Sequence, residues 1–243
     1  MLVIFYCLFY LIRLRNKFSM KIGNITINPT KIICIGTNYM DHIIETKMAV
    51  PTEPVLFPKT LNTLVGNGAP ILYPKWLYND RKNNRIDYEV ELAFIMKDKC
   101  KFVSLEDAYD HILGYTVFND ITARKMQIND ILAKQPWFRS KSFDTFAPIG
   151  PRIVDDDEIG DPHNLDIELK LNGEIKQSSN TKNLLFKIPE LVEYISRFFT
   201  LEQGDIVATG TPSGIGPIKP GDNLEAWIEK IGVLKNSVIL DER

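Results

Sequence analysis

Three carboxylates in two separate segments have the types and spacing of a site for a hard cation. Glu89 and Glu91 are two residues apart, so on a β-strand both side chains point to the same face. The residues after Glu91 are strongly apolar, which indicates a strand that enters the interior, where paired carboxylates need a cation or a proton. Asp120 follows a second apolar run and supplies the third carboxylate. The simpler alternative, which the pair alone would favour, is a half-exposed strand with an acidic outer face.

The rest of the composition narrows the choice of ion. The chain has three cysteines without a paired spacing and three widely separated histidines, so neither a thiolate nor an imidazole centre is predicted. Oxygen ligands alone favour Mg2+, with Mn2+ or Ca2+ as substitutes. Three carboxylates with one divalent ion leave about one negative charge, so nearby cationic side chains would help to receive an anionic ligand.

Cationic and polar candidates follow the third carboxylate in the sequence. Asp120, Arg124 and Gln127 have the spacing i, i+4, i+7, which places them on one face of a helix. An intrahelical salt bridge between Asp120 and Arg124 is the simpler explanation of that spacing. Lys141 begins a turn-rich polar and aromatic segment, 141–151, which is not needed to form a hydrophobic core. Loops of this kind often carry functional residues.

Two further segments could contribute to a reaction. His42 and Glu45 are three residues apart, so they are neighbours if residues 40–47 are helical, and such a pair can take a proton from water. A surface histidine beside a glutamate is the commoner explanation. The segment 209–216 resembles a phosphate loop but lacks its Gly-Lys-Ser/Thr ending, so we interpret it as a tight loop that offers backbone donors to a small anion.

The elements that must position these residues are mostly strands. Strands are predicted at 31–36, 87–96, 115–118, 205–208, 224–228 and 237–240, with a hairpin around Asn172-Gly173. Helices are predicted at 104–113, 120–133 and 188–199, and the prolines of 51–74 exclude a regular helix there. Because helices are a minority and do not alternate regularly with strands, the pattern favours a β-rich mixed α/β (α+β) fold.

Composition excludes several classes of protein. The chain has 243 residues, 44% of them hydrophobic, and a formal net charge of -2, which is typical of a globular domain and gives no reason to expect nucleic acid as a partner.

The apolar run 2–12 is shorter than the roughly 20 residues that span a bilayer. Basic residues follow this run, whereas in a secretory signal they precede it. We therefore expect a cytoplasmic protein without a membrane partner. Residues 1–19 form an apolar extension that need not belong to the fold, although a weak membrane anchor is the alternative, and 20–243 form one domain.

Together these segments resemble the fumarylacetoacetate hydrolase family, in particular its short acylpyruvase-like members. The resemblance covers about residues 31–240 through six motifs in order: Asn38-Tyr39 with His42 and Glu45; 54–59; 87–91; Asn119-Asp120 with Ala123-Arg124 and Gln127; 141–146; and 209–216. It implies a fold of mixed β-sheets rolled around a metal site, a homodimer, and Mg2+ or Mn2+ bound by Glu89, Glu91 and Asp120.

The resemblance also implies roles for the remaining site residues. Lys141, Arg124 and Gln127 would contact the oxygens of the substrate, and Thr211 would help to hold its carboxylate. His42 with Glu45 would activate water. Two positions depart from the family pattern, Ile43 beside the histidine and Lys230 near the end, and both bear on the shape of the pocket.

The expected function is a divalent-metal-dependent hydrolase that cleaves a carbon–carbon bond in acylpyruvate-type (β-diketo acid) substrates through a metal-bound enolate. The same centre would serve an oxaloacetate decarboxylase or a 2-hydroxyhepta-2,4-diene-1,7-dioate isomerase, neither of which needs hydrolytic water. A non-catalytic metal-binding protein is the alternative from another class.

Overall fold

Strands far outnumber helices in the computed structural model, which describes residues 18–243. The strands in this range are β1 Met20–Ile22, β2 Ile25–Ile27, β3 Ile32–Gly36, β4 Val55–Lys59, β5 Leu64–Val65, β6 Ile71–Pro74, β7 Ile86–Tyr88, β8 Val90–Met96, β9 Ile112–Asn119, β10 Thr122–Ala123, β11 Ala147–Val154, β12 Asp166–Leu171, β13 Glu174–Asn180, β14 Ile206–Ala208, β15 Gly216–Ile218, β16 Asn223–Ile228 and β17 Gly232–Asp241.

The helices are short and lie between the strands. They are α1 Met40–Thr46, α2 Lys75–Asn79, α3 Arg124–Leu132, α4 Phe138–Lys141, α5 Asp156–Ile159 and α6 Ile188–Phe198, with 3-10 turns at Leu61–Thr63, Ala108–His111 and Thr181–Asn183. Residues 18–243 contain no helix with the length and apolar character needed to cross a membrane.

A seven-stranded sheet forms the centre of the fold, in the order β4-β3-β14-β8-β9-β11-β5. β14 is parallel to β3 but antiparallel to β8, and β8 is antiparallel to β9, so the sheet is mixed. A five-stranded sheet, β13-β12-β16-β17-β6, packs against it through contacts of β12 with β8 and of β16 with β9. The β-rich mixed fold predicted from the sequence is confirmed.

Alternation along β8 explains why the central sheet is buried on both faces. Leu92 and Phe94 belong to the larger apolar core, which includes residues of the five-stranded sheet, whereas Ala93 and Ile95 belong to a second core that includes residues of β1 and β2. A strand covered on both faces is wholly apolar, and β8 is so except for Glu91. The half-exposed strand considered for this segment is therefore wrong.

Two predicted helices are shorter than expected because strand pairing takes their first or last residues. In the segment 104–113 only Ala108–His111 is helical, as a 3-10 turn, and it ends there because Ile112 already pairs with Met96 of β8. In 120–133 the helix begins at Arg124, because residues 122–123 pair with β7. The predicted Asn172-Gly173 hairpin is confirmed by the pairing of β12 with β13.

Most of the predicted N-terminal extension lies outside the described residues. Only its last two positions fall within 18–243, so its separation from the fold remains a prediction. Cys34 and Cys100 are buried and unpaired, in agreement with reduced packing residues, and Cys7 is outside the described range.

The N-terminus of α6 gives a prediction for pH dependence. The backbone N–H of Ile188 donates to Nε2 of His163 at 3.0 Å, which requires the neutral imidazole. Burial, and to a smaller extent the positive charge of Lys187, lowers the pKa of His163 from its ordinary value of 6.5. Since the folded pKa is depressed, this contribution to stability is complete above the unfolded pKa and is lost as the pH falls through the folded pKa.

Variant H163Q should therefore show a smaller loss of stability than the wild type between about pH 7.5 and about pH 5.5. Glutamine keeps an acceptor for Ile188 but does not titrate. Urea unfolding at both pH values measures the difference, and equal losses in the two proteins would contradict this role of the imidazole.

Candidate metal centre and active site

The three predicted carboxylates converge at one end of the central strands. Glu89 precedes β8, Glu91 lies on it and Asp120 follows β9, and one carboxylate oxygen from each lies within 4.8 Å of the others. All three residues are buried. The backbone N–H of Asp120 donates to the carbonyl of Glu89 at 2.8 Å, and the side chain of Asn119 accepts from the N–H of Glu89 at 2.9 Å, so the antiparallel pair fixes their relative position.

Three buried cationic side chains surround this cluster. Lys141 donates to Glu89 at 2.9 Å and to Asp120 at 2.5 Å, Lys59 donates to the other oxygen of Asp120, and Arg124 donates to Glu89. These contacts satisfy both oxygens of Glu89 and Asp120. Glu91 differs, because among residues 18–243 it receives the backbone N–H of Gly210 and no cationic side chain.

The simpler explanation of the spacing between Asp120 and Arg124, an intrahelical salt bridge, is wrong. Asp120 lies before the helix, whereas Arg124 is its first residue and binds Asp87 at 2.8 Å as well as Glu89. Arg124 also donates to the side-chain oxygen of Gln127 at 2.5 Å, which holds the guanidinium and the amide together. The predicted shared face of Arg124 and Gln127 is therefore present.

The charge of the site follows from these contacts. Four buried carboxylates, Asp87, Glu89, Glu91 and Asp120, are opposed by three buried cations, Lys59, Arg124 and Lys141. The half-exposed Arg85 also donates to Asp87, at 2.8 Å and 3.1 Å. Counting all eight groups as charged leaves about no net charge, and a divalent cation would make the site about +2, which suits an anionic ligand.

The pKa directions show where the negative charge is least compensated. Burial, and then the carboxylates of Asp120 and Glu89, raise the pKa of Glu91 well above its ordinary value. Burial alone would also raise the pKa of Glu89, but Lys141 and Arg124 outweigh it and lower that pKa. A buried carboxylate without a cationic partner is costly unless it takes up a proton or a metal ion.

These residues fit a divalent cation. The donors are three carboxylates on a rigid strand pair, with no imidazole or thiolate among them, which is the donor set of Mg2+ and Mn2+. Glu89, Glu91 and Asp120 are the residues that would hold it.

The predicted histidine–glutamate pair borders the same site. Nδ1 of His42 lies 3.2 Å from Oε2 of Glu45 on α1, as the spacing i, i+3 predicts. His42 is buried, so it is not the surface histidine of the simpler explanation. Among residues 18–243 no hydrogen bond reaches Nε2 of His42, which leaves that nitrogen available to a ligand.

Three backbone donors of the loop 209–216 bind the chain's own carboxylates. Gly210 donates to Glu91 at 2.9 Å, Ser213 to Asp41 at 3.3 Å and Gly214 to Glu45 at 3.0 Å, so these three are not available to the small anion that the sequence predicted. Gly210 has φ +98°, and a Cβ there would lie 2.9 Å from the side chain of Asn38, so glycine is required. The loop thus joins the carboxylate cluster to α1.

Two neighbouring cavities that share lining residues lie beside the cluster. A narrow one of about 50 Å³ is lined by all predicted site residues except Glu45 and Asp120, including Lys141 and Thr211. A wider one of about 470 Å³ shares Arg124, Gln127 and Met48 with it and is lined by Glu45 and several apolar residues. A separate cavity of about 760 Å³ contains none of the predicted site residues.

Three contributors to the site had been assigned no role from the sequence. Lys59 ends β4, Asp87 lies on β7, and Gln177 on β13 donates to the hydroxyl of Thr211 at 2.8 Å and accepts from the N–H of Val90. Asp87 had a local signal, since it precedes Glu89 by two residues. Lys59 closes the motif 54–59 but had no assigned role, and Gln177 comes from a distant segment without such a signal.

Known proteins resemble this chain over most of its length. Residues 31–239 match the family model described as fumarylacetoacetate (FAA) hydrolase C-terminal. The chain belongs to the fumarylacetoacetate hydrolase family. A mitochondrial oxaloacetate tautomerase of Xenopus laevis is 42% identical over 87% of this chain and 66% of its own length.

Two solved structures extend the comparison. Fumarylpyruvate hydrolase from Pseudomonas aeruginosa, in complex with Mn2+ and pyruvate, is 31% identical with a TM-score of 0.85 over 93% of this chain and 97% of that chain. A 2-hydroxyhepta-2,4-diene-1,7-dioate isomerase from Mycobacterium marinum is 38% identical, with a TM-score of 0.77. The match covers 89% of this chain and 77% of the isomerase chain. The family thus includes hydrolase, isomerase and tautomerase members, and one of them carries a divalent metal.

The buried lysine missed by the sequence analysis gives a stability prediction. Variant K59M should lower the free energy of unfolding by about 3 kcal/mol in metal-free buffer, because it leaves Asp120 with one fewer cation in the interior. Urea unfolding measures it. K75M, which breaks an exposed lysine–glutamate pair with Glu242, is the control and should change stability little. Equal stability of the two variants would contradict the assigned role of Lys59.

Proposed function

We propose that this protein is a divalent-metal-dependent hydrolase that cleaves a carbon–carbon bond in acylpyruvate-type (β-diketo acid) substrates. The supporting observation is the contact of 3.2 Å between His42 and Glu45 beside the buried carboxylate cluster. A base held in this way can activate water, which hydrolysis needs and isomerisation or decarboxylation does not. The likeness to fumarylpyruvate hydrolase over nearly the whole of both chains supports the same choice.

Glu89, Glu91 and Asp120 hold Mg2+ or Mn2+ in this proposal. The ion supplies Lewis acidity to the 2-oxo acid group of the substrate, an effect of several kcal/mol. The Mn2+ in the related hydrolase supports a divalent ion, and the buried trio of carboxylates supplies its ligands.

The two cavities correspond to the two ends of an acylpyruvate. Arg124, Gln127, Lys141 and Thr211 line the narrow cavity. In this proposal the first three contact the oxygens of the 2-oxo acid, and Thr211 helps to hold its carboxylate. The wider cavity, with Met48 and other apolar residues, accommodates the acyl group. The small volume of the first favours a compact anionic head.

His42 and Glu45 then provide the hydrolytic water. Nε2 of His42 takes a proton from water while Glu45 holds Nδ1 and so fixes the tautomer. The resulting hydroxide adds to the distal carbonyl, and the carbon–carbon bond breaks with its electron pair passing to the pyruvate fragment as an enolate. The positive charge of Lys141 stabilises the negative charge that develops there. Proton return from His42 gives pyruvate, and the other product is a carboxylic acid.

A second candidate is supported by the tautomerase and isomerase relatives. Proton transfer next to the 2-oxo group, or loss of carbon dioxide from oxaloacetate, uses the same oxo-acid group without hydrolytic water. Oxaloacetate decarboxylation and dienedioate isomerisation therefore remain alternatives to hydrolysis.

A substrate panel separates these candidates. Acetylpyruvate, fumarylpyruvate, oxaloacetate and 2-hydroxyhepta-2,4-diene-1,7-dioate are assayed with Mg2+ and after exhaustive chelation. The proposal expects hydrolysis of an acylpyruvate that stops on chelation. Conversion of oxaloacetate or the dienedioate alone would favour the second candidate, and metal binding without any turnover would favour a non-catalytic protein. Assembly as a homodimer and cytoplasmic location remain predictions.

A further inference from the structure

A second cluster of metal-ligating side chains lies at the other end of the β8–β9 pair. Asp98 and Cys100 follow β8, and His111 precedes β9, whereas the carboxylate cluster adjoins the start of β8 and the end of β9. One ligand atom from each of the three lies within 4.8 Å of the others. The seven residues of β8 separate the two clusters by roughly 20 Å, so this cluster is independent of the proposed active site.

Backbone hydrogen bonds hold two of the three positions in place. The N–H of Cys100 donates to the carbonyl of Leu201 at 2.9 Å, and the N–H of Leu201 returns a bond to Cys100 at 3.0 Å. The N–H of Lys97 donates to the carbonyl of His111 at 2.8 Å. The cluster is therefore largely formed before any ligand arrives, which lowers the entropic cost of binding.

The side chains combine a buried donor with an accessible entrance. Cys100 is 6% exposed, and among residues 18–243 no hydrogen bond involves its thiol. Nδ1 of His111 lies 2.7 Å from Oδ1 of Asp98, so the imidazole is already oriented. The side chains of Asp98 and His111 are 50% and 28% exposed, which gives an ion access from solvent.

The same three residue types could also form a nucleophilic cysteine site, but the local charge opposes that interpretation. A carboxylate oxygen of Asp98 lies within 4.8 Å of a ligand atom of Cys100, and the carboxylates of Asp205 and Glu202 also act on the thiol. Reactive cysteines lie in electropositive surroundings that lower their pKa. An electronegative pocket around a buried thiol favours a cation over a thiolate nucleophile.

We propose that Asp98, Cys100 and His111 form a zinc site that ties the end of β8 to the start of β9. Thiolate, imidazole and carboxylate donors suit Zn2+, with water as the fourth ligand, and a thiolate disfavours Mg2+. On binding, the S–H bond of Cys100 breaks, a bond from sulfur to zinc forms, and the proton passes to solvent without any redox change.

Cobalt provides the direct test, because Co2+ replaces Zn2+ and a thiolate ligand gives it a charge-transfer band in the near ultraviolet. The full-length protein is titrated with Co2+ in excess Mg2+. We expect one equivalent with this band in the wild type, no band in C100S or C100A, and an affinity at least about tenfold lower in D98N and H111Q.

Three controls separate this site from other groups. D161N removes the acidic neighbour of His163, a histidine–aspartate pair at 3.8 Å outside this cluster, and should keep the band. C7A and E91Q should also keep it, since neither residue belongs to the proposed site. Near-ultraviolet circular dichroism establishes that each variant is folded.

Thermal unfolding gives a second readout. Because Zn2+ binds the folded state, it should raise the midpoint of the wild type and of D161N but not that of C100S. A folded wild type without the cobalt band, a band that survives in C100S, or a band lost in E91Q would each overturn the proposal.

Discussion

Variant E91Q is expected to lose metal-dependent turnover while remaining folded. An amide is a poor ligand for a hard cation, so the ion loses one of its three carboxylates. Removal of several kcal/mol of Lewis-acid stabilisation corresponds to a loss of roughly a thousandfold in kcat/KM. Steady-state assays of acylpyruvate hydrolysis across a range of Mg2+ concentrations measure this loss.

The stability of the same variant distinguishes a ligand from a structural residue. Glutamine keeps an oxygen that can accept the N–H of Gly210, and it removes a buried charge that has no cationic partner among residues 18–243. The free energy of unfolding of metal-free E91Q should therefore equal or exceed that of the wild type. E225Q, on the distant strand β16, is the matched control and should retain full activity. Wild-type turnover in E91Q at low Mg2+ would remove Glu91 from the proposed ligands.

Variant H42A is expected to separate hydrolysis from reactions that need no water. Loss of a general base costs about a hundredfold to ten-thousandfold in rate, so acylpyruvate hydrolysis should fall by that factor. Conversion of oxaloacetate or of the dienedioate, where the protein shows it, should persist. Rates for the whole substrate panel, measured on the variant and the wild type side by side, give the comparison.

The neighbouring glutamate provides a graded check. E45Q keeps a hydrogen bond to Nδ1 of His42 but removes the negative charge, so hydrolysis should fall less than in H42A. H163Q is the matched histidine control, because His163 lies at the N-terminus of α6 and contacts no predicted site residue. An unchanged rate of acylpyruvate hydrolysis in H42A would contradict the proposed activation of water by His42.

Local spacing explains which parts of the site could be predicted from the sequence. Glu89 and Glu91 share a face because side chains alternate along an extended chain, and His42 contacts Glu45 because they lie about one helical turn apart. The Asn172-Gly173 hairpin was predicted for the same kind of reason, since the turn itself requires those residues. In each case the geometry is set within a few residues.

Long-range pairing accounts for what the sequence analysis missed. Lys59 reaches Asp120 across 61 positions of the chain, and Gln177 reaches Thr211 across 34. The loop 209–216 was expected to offer backbone donors to an anion, yet the fold brings chain carboxylates to Gly210 and Gly214. Such partners are decided by how distant elements pack, which no local pattern records.

Pairing between strands also shifted the start of α3. The spacing of Asp120, Arg124 and Gln127 predicted one continuous helix, but residues 122–123 join β7 and leave Asp120 before the helix. Asp120 is consequently free to face Glu89 instead of Arg124. The error in the helix boundary and the wrong salt bridge have a single cause.

The central claim, that three carboxylates hold one divalent ion, is tested most directly by locating Mn2+ in crystals of the protein from its anomalous scattering. We expect a single strong peak bounded by carboxylate oxygens of Glu89, Glu91 and Asp120, absent from crystals of E91Q treated in the same way. A peak elsewhere with none between these three side chains would contradict it.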